Sequence, residues 1–265
     1  MTRLLASGVI VACLAAGIWK YRQDQQVQTP AEPSEETRPA ADWIDRLYSQ
    51  DPRDVEAASR EVAELGPRAL PAIQETLRDQ QAEAERLKAA LKACGILGRT
   101  AAPLVADVAE VLAEPGLTAE AAVALSYMGP DAFAPLRSAL SNDDPIVRRE
   151  SLRSIGKLKE RAPLDTKLVL PLLVTRMKDP DAGVRAVAAT YLGIIHEGGK
   201  TAVPALITGL TDPDAEVRRA SAEALGSFDP AVAAPALPVL RKAARDRNPD
   251  VARAAGGAIV KLQKK

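Results

Sequence analysis

The chain has 265 residues, with 35 Lys and Arg against 35 Asp and Glu. Its formal charge is therefore balanced, and net charge gives no indication of a nucleic-acid partner. Aromatic residues make up only 3% of the chain, which leaves few rings on which bases could stack. The length is ample for a large hydrophobic core, and the abundance of alanine and leucine favours close packing of helices.

Residues 4–19 form the only long uncharged apolar run of the sequence. The run is slightly shorter than the roughly 20 residues that span a bilayer as a helix, although Trp19 and Tyr21 suit the membrane interface. Three interpretations remain open, and all three place the protein at a membrane. They are an uncleaved anchor, which we favour, a signal peptide cleaved after Ala15-Ala16-Gly17, and a lipoprotein signal modified at Cys13, where Ile10-Val11-Ala12-Cys13 resembles a bacterial lipobox.

The flanking charges bear on membrane orientation. Short N-terminal anchors usually leave the start of the chain in the cytoplasm, which places the folded body outside it. Lys20 and Arg22 favour the reverse orientation, but they outweigh Arg3 only marginally. We therefore predict that residues 1–22 are the signal or anchor segment of a single-pass protein of the bacterial inner membrane. The folded body is then periplasmic, or secreted if the segment is cleaved. Residues 23–40 are rich in Pro, Glu and Gln and lack apolar periodicity, which predicts a disordered linker.

A seven-residue motif recurs in the second half of the chain. Asp179-Pro180-Asp181-Ala182-Gly183-Val184-Arg185 returns 33 residues later as Asp212-Pro213-Asp214-Ala215-Glu216-Val217-Arg218. A fixed period of about 20–50 residues is the sequence signature of a solenoid. Proline at the first helical position, with aspartate directly before it as the N-cap, predicts that each motif begins a helix.

A regular series of prolines extends the repeat over residues 41–265. Pro71, Pro103, Pro135, Pro171, Pro204 and Pro238 follow one another at spacings of 32, 32, 36, 33 and 34 residues, each near the start of a predicted second helix. The sequence thus predicts an all-α, right-handed α-solenoid of six to seven helical hairpins, the last of them a half-unit.

A cap helix is predicted at 41–50, with Trp43, Ile44, Leu47 and Tyr48 on one face. First helices are predicted at 52–64, 81–97, 117–128, 145–157, 181–195, 214–226 and 249–262, and second helices at 69–78, 102–113, 132–141, 166–178, 202–210 and 234–245.

These repeats resemble HEAT repeats and, in their short form, the HEAT-like repeats of phycobiliprotein lyases. In that family, aspartates and arginines of neighbouring repeats form a ladder along the stack. The resemblance implies that Asp181, Asp214, Arg185 and Arg218 join repeats rather than bind a ligand. It covers the repeat array and implies no lyase activity, because a fold shared by many scaffolds does not fix a function.

The sequence offers little for catalysis. His196 is the only histidine, and the pair His196-Glu197 resembles one of the several His-Glu pairs of deoxyhypusine hydroxylase, a di-iron HEAT-repeat enzyme. One pair cannot supply that ligand set. Of the two cysteines, Cys13 lies in the N-terminal segment and Cys94 is predicted to be a buried thiol. No zinc-ligand spacing, P-loop or GxGxxG motif is present, so we predict no catalytic, metal or cofactor residue.

Charge is unevenly distributed along the repeats. Residues 41–140 carry 10 Lys and Arg against 16 Asp and Glu, whereas residues 141–265 carry 21 against 15. Second helices usually line the inner surface of a HEAT solenoid, and the positions three and four after the prolines turn from acidic to basic along the chain. A protein segment of opposite polarity is therefore expected to contact Glu75, Asp107, Arg137, Arg176, Arg241, Lys242 and Arg245.

These observations predict a non-enzymatic, membrane-tethered scaffold that presents its repeats to a protein partner and takes no small-molecule substrate. A first alternative is a lyase-like or chaperone subunit for a cofactor-bearing protein, which co-purification of a chromophore or metal would favour. A second is nucleic-acid binding by the basic C-terminal half, which steeply salt-dependent DNA binding would favour.

Overall fold

The computed structural model describes residues 42–162 and 164–263, and all the regular structure of these residues is helical. The α-helices are α1 (Asp42–Arg46), α2 (Pro52–Leu65), α3 (Leu70–Arg78), α4 (Ala84–Leu97), α5 (Val105–Val111), α6 (Thr118–Leu125), α7 (Phe133–Ala139), α8 (Pro145–Arg161), α9 (Thr166–Arg176), α10 (Ala182–Ile195), α11 (Gly199–Gly209), α12 (Ala215–Leu225), α13 (Pro230–Ala233), α14 (Leu237–Ala243) and α15 (Pro249–Gln263). Short 3₁₀ turns at Gly66–Ala69, Gly98–Leu104, Pro130–Ala132 and Ala234–Ala236 lead into α3, α5, α7 and α14.

Helical pairs stack repeat upon repeat in two layers. Repeats 1 to 6 are the pairs α2/α3, α4/α5, α6/α7, α8/α9, α10/α11 and α12/α14, and repeat 7 is α15 alone. Consecutive first helices contact each other from α2 to α15, and second helices contact at α3–α5, α5–α7 and α9–α11. Within the described residues, the predicted all-α solenoid of six pairs and a half-unit is confirmed.

In the repeated Asp-Pro-Asp motif, the second aspartate caps the helix. Asp181 accepts a hydrogen bond from the backbone N–H of Val184 at 2.9 Å, and Asp214 accepts one from Glu216 at 2.8 Å. The prediction that the aspartate before the proline caps the helix is therefore wrong for both copies. Asp179 and Asp212 instead face arginines of the preceding repeat, as described below.

The segment at α1 covers the first-helix side of repeats 1 and 2. Of the four side chains predicted to share one face of this segment, three are buried, namely Trp43, Ile44 and Leu47. Arg46 forms an ion pair with Glu61 of α2, and Lys92 of α4 donates to the carbonyl oxygen of Leu47 at 3.3 Å. The predicted cap of the first repeat thus also contacts the second.

One stretch of the described residues is long and apolar enough to cross a membrane, namely Ala84–Val111. It comprises α4, a 3₁₀ turn and α5, and 44% of its most apolar window is buried inside the fold. Gly98 interrupts it with φ of +55°, so we interpret it as a helical pair of the core. The predicted anchor at 4–19 and linker at 23–40 lie outside the described residues.

Candidate partner-binding surface

A ladder of ion pairs joins repeats 4 to 7. In each pair an arginine of a first helix donates two hydrogen bonds to an aspartate in the loop before the next first helix. The pairs are Arg148–Asp179 at 3.0 and 2.8 Å, Arg185–Asp212 at 2.8 and 2.9 Å, and Arg218–Asp246 at 2.8 and 3.0 Å.

The same arginines also hold the loops of their own repeats. Nη1 of Arg185 donates to the carbonyl oxygens of Asp179 and Pro180 at 2.9 and 3.0 Å. Arg148 and Arg218 make the same contacts with the loops before α8 and α12. Each guanidinium therefore bridges two successive loops, and bidentate charge-assisted hydrogen bonds of this kind are among the strong ones in proteins.

The pKa values of two ladder aspartates reflect these contacts. Burial by itself would raise the pKa of the carboxyl groups of Asp179 and Asp212, but hydrogen bonds from the arginines and from backbone N–H groups outweigh it and hold each pKa below its usual range. The ladder implied by the resemblance is confirmed for Arg185 and Arg218. It is wrong for Asp181 and Asp214, which are N-caps.

Repeats 1 to 3 are joined differently. The fourth residue after the N-cap is arginine in repeats 4 to 6, but in repeats 1 to 3 it is Val55, Leu87 and Ala121. Asp107 of α5, only 6% exposed, instead accepts hydrogen bonds from Gln74 at 2.9 Å and Arg78 at 2.6 Å, both on α3. This carboxylate links the second helices of repeats 1 and 2.

The inward position of Asp107 has a local cause. The sequence predicts this residue in the partner-binding set, because it stands four places after Pro103. However, α5 begins only after the seven-residue 3₁₀ turn Gly98–Leu104, which winds at 3.0 rather than 3.6 residues per turn. The residues that follow are rotated about the helix axis, so that Ala106 is exposed and Asp107 is buried.

The basic residues predicted at the C-terminal end come together in space. Arg241, Lys242 and Arg245 are exposed and line a pocket of about 660 Å³, which the ladder pair Arg218–Asp246 also lines. The ion pairs of the described residues include none of these three cations. This end of the solenoid therefore presents three basic side chains without a carboxylate partner from residues 42–162 or 164–263.

Carboxylates lie at the other end of the second-helix surface. Glu75 is exposed on α3. Glu110, exposed on α5, lines two pockets of about 500 and 650 Å³, the second together with Glu114. Glu110 and Glu114 are not among the residues predicted from the sequence, because both lie beyond the first helical turn after Pro103. Residues i and i+4 share a helix face, so Glu110, four places after the exposed Ala106, lies on the outward face of α5.

Threonines occupy outward positions between these ends. Thr175 on α9 and Thr208 on α11 are exposed. Of the two arginines predicted here, Arg137 is exposed on α7, whereas Arg176 has Nη1 3.5 Å from the carboxylate of Asp179. The second-helix surface thus has carboxylates at repeats 1 and 2, Arg137 at repeat 3, threonines at repeats 4 and 5, and a cluster of cations at repeat 6.

The remaining candidate groups for chemistry are isolated. His196 is the exposed C-cap of α10, with φ of 37°, and its Nδ1 lies 2.9 Å from the carbonyl oxygen of Ile194. Burial, with a smaller contribution from the Asp107 carboxylate, raises the pKa of Cys94 to about 12, so this thiol is not a nucleophile at neutral pH. Among the described residues, no group of three or more His, Cys, Asp or Glu side chains could hold a metal ion.

Comparisons with known proteins agree with the repeat architecture. Residues 170–260 match the HEAT repeats family, and no curated protein sequence matches the chain. Kap121p bound to Pho4p has a TM-score of 0.61 with 14% identity, over 83% of this chain and 29% of Kap121p. Kap95p with RanGDP gives 0.57 with 15% identity, over 83% and 34%. The archaeal HEAT-like repeats protein from Thermococcus onnurineus NA1 gives 0.53 with 16% identity, over 83% and 95%.

At these identities the likeness establishes the fold alone. The chain spans about a third or less of the length of Kap121p and Kap95p, but matches nearly all of the archaeal protein. The described part of the chain therefore has the fold of HEAT-repeat solenoids, and residues 170–260 match the HEAT repeats family by sequence.

Proposed function

We propose that this protein is a non-enzymatic scaffold whose second-helix surface binds an extended protein segment charged oppositely at its two ends. The observation that carries the proposal is the cluster of Arg241, Lys242 and Arg245 around one pocket. The ladder arginines of the same half are bound to aspartates, whereas these three cations are not. An acidic stretch of the partner contacts this cluster, and a basic stretch contacts Glu75 and Glu110.

Solenoids of similar fold support a protein-binding role. Kap121p is known in complexes with Pho4p, with the extreme C-terminus of Cdc14p and with RanGTP. Second helices contact each other at α3–α5, α5–α7 and α9–α11, so an extended segment can cross neighbouring repeats. Complementary charges at the two ends would set the direction of that segment and raise its association rate.

Charge reversal in the full-length chain tests this surface. The probe is a labelled peptide with a block of glutamates at one end, a glycine-serine spacer, and a block of lysines at the other. Arg241→Glu combined with Lys242→Glu should weaken its binding by about tenfold or more, because attraction to the glutamate block becomes repulsion. The control, Arg253→Glu with Lys261→Glu, makes the same change in net charge on α15. Equal dissociation constants for the two double variants would contradict the proposal.

We also propose that residues 4–19 anchor the scaffold in the bacterial inner membrane, with the repeats in the periplasm at the end of the 23–40 linker. The apolar run and the interfacial Trp19 support this arrangement. Protease that reaches the periplasm of intact cells should digest the repeats, while the mature N-terminus retains Met1 or Thr2. Protection until the inner membrane is lysed would instead place the repeats in the cytoplasm.

Two rival functions would give different results. A subunit of the phycobiliprotein-lyase type, or a chaperone for a cofactor-bearing protein, would co-purify with a chromophore or metal. A nucleic-acid binder would bind DNA with a steep dependence on salt, and reversal of Arg241 and Lys242 would abolish that binding.

A further inference from the structure

One helix position distinguishes repeat 2 from the later repeats. The twelfth residue after the N-cap of the first helix is glycine in repeats 2, 4, 5 and 6. In repeats 4 to 6 the next first helix fills the space beside it. A Cβ at Gly156 would overlap the ring of Tyr191, one at Gly193 would lie 2.6 Å from Cα of Ala224, and one at Gly226 would lie 3.1 Å from Cα of Ala258.

Gly95, the same position in repeat 2, has no such neighbour. A Cβ placed there would meet nothing within 4 Å. The following first helix, α6, has 8 residues, against 14 in α4 and 17 in α8, and its side chains do not reach the glycine. Since glycine weakens a helix interior and no side chain of the described residues uses this space, Gly95 leaves room for a group from outside them.

The open space continues into a groove between α4 and α6, which we call the outer groove. It has a volume of about 590 Å³ and lies on the first-helix side of the solenoid, away from the second-helix surface. Its lining is mostly apolar and includes Leu91, Ile96, Val123, Tyr48 and Tyr127. Val123 and Tyr127 are 41% and 43% exposed, so an entering side chain would bury apolar surface.

Cations without carboxylate partners border this apolar floor. Lys92 donates to a backbone carbonyl. The guanidinium of Arg161 lies 3.9 Å from the ring centroid of Tyr127 and donates to the hydroxyl of Ser126 at 2.9 Å. Neither forms an ion pair within the described residues, whereas Lys88 is paired with Glu85 at 3.0 Å. The lining itself carries Lys88 and Lys92 against Glu120, so it has one more cation than carboxylate.

We propose that the outer groove binds a protein segment that carries a leucine or aromatic side chain next to an acidic residue. The apolar side chain enters the space above Gly95, and the carboxylate contacts Lys92, which lines the groove. Side chains that fill well-packed, desolvated pockets carry most of the binding energy of protein interfaces, and aromatic side chains are enriched among them. This site is separate from the second-helix surface and does not depend on the function proposed above.

Filling the groove tests the proposal in the full-length chain. The probes are fluorescein-labelled Gly-Glu-Phe-Leu-Glu-Gly and Gly-Lys-Phe-Leu-Lys-Gly. Wild type should bind the acidic peptide in preference to the basic one, and Gly95→Leu should weaken that binding by about tenfold or more, because leucine occupies the anchor space. Gly257→Leu is the matched control, since Gly257 is also helical and its added Cβ would meet nothing within 4 Å. It should bind like wild type.

A charge swap then separates the carboxylate contact from the anchor contact. Lys92→Glu should reduce or reverse the preference for the acidic peptide. Absence of acidic-peptide binding by wild type, equal binding of both peptides, or equal binding by the Gly95→Leu and Gly257→Leu variants would overturn the proposal. The proposal would also be overturned if Gly95→Leu, but not Gly257→Leu, lost self-association or binding to phosphatidylcholine vesicles. The groove would then receive a second copy of the chain or a lipid.

Discussion

Repeats 1 to 6 are all built from helical pairs, but repeats 1 to 3 are joined by different contacts from those that join repeats 4 to 7. In the later region, the first helices of repeats 4 to 6 each carry an arginine that binds the loop of the next repeat, and three glycines let neighbouring first helices approach closely. In the earlier repeats, the arginine position is apolar and Gly95 faces open space. Because the stability of a repeat protein is approximately a sum of repeat and nearest-neighbour terms, the two regions should respond differently to the same kind of substitution.

The largest difference is expected from breaking the ladder. Arg148→Met would leave the carboxylate of Asp179, whose side chain is 1% exposed, without its principal partner. Removing one member of a buried pair costs about 3–5 kcal/mol of unfolding free energy, because the other charge stays buried. Urea unfolding should show that loss, and hydrogen exchange should locate it in repeats 4 and 5.

Arg60→Met provides the control for this prediction in the earlier region. Arg60 forms an ion pair with Glu56 on the exposed face of α2, where the two side chains are 70% and 66% exposed. Exposed pairs of this kind contribute little to stability, so the variant should unfold close to wild type. Equal destabilisation by the two substitutions would show that the ladder adds nothing beyond a surface ion pair.

The glycine position should give effects of opposite sign in the two regions. Gly193→Ala forces a Cβ to within 2.6 Å of the backbone of Ala224, and overpacking of this kind costs about 1–3 kcal/mol. Gly95→Ala meets no neighbour and should raise the unfolding free energy by about 1 kcal/mol through helix propensity. Relative to wild type, the thermal unfolding midpoint should be lower for Gly193→Ala and higher for Gly95→Ala. A destabilised Gly95→Ala variant would mean that the outer groove is narrower than described.

The repeats could be predicted from sequence because their signals are local. Proline spacing and capping residues depend on a few neighbouring positions, and they located both helices of every pair. The roles of Asp179 and Asp181 could not be assigned in that way. Both precede the same helix, and which of them caps it depends on Arg148, 31 residues away, whose position relative to the loop is set only by stacking.

The candidate surface was only partly predictable for a similar reason. The cluster of Arg241, Lys242 and Arg245 follows from helical spacing within one segment. The inward position of Asp107 depends on the 3₁₀ turn before α5, which the sequence pattern treats as ordinary helix. The open space beside Gly95 depends on the length of α6, so a glycine that looks identical in repeats 2 and 5 has different surroundings.

The smallest expected effect is a change of the ladder with pH. The hydrogen bonds from Arg218 and the backbone N–H of Asn248 lower the pKa of Asp246, and the pKa values of Asp179 and Asp212 are lowered against the opposing effect of burial. A carboxyl group with a lowered pKa contributes stability above its unfolded pKa of about 3.9, and that contribution is lost as the pH falls through the folded pKa.

Acid should therefore narrow the stability difference between wild type and Arg148→Met. Wild type loses ladder stability as Asp179, Asp212 and Asp246 become protonated, whereas in the variant protonation relieves the buried charge that Asp179 keeps at neutral pH. Urea unfolding of both proteins at pH 6, 4 and 3 measures the difference. A difference that stays constant over this range would show that the cost of Arg148→Met lies in lost packing of the arginine side chain rather than in the charge of Asp179.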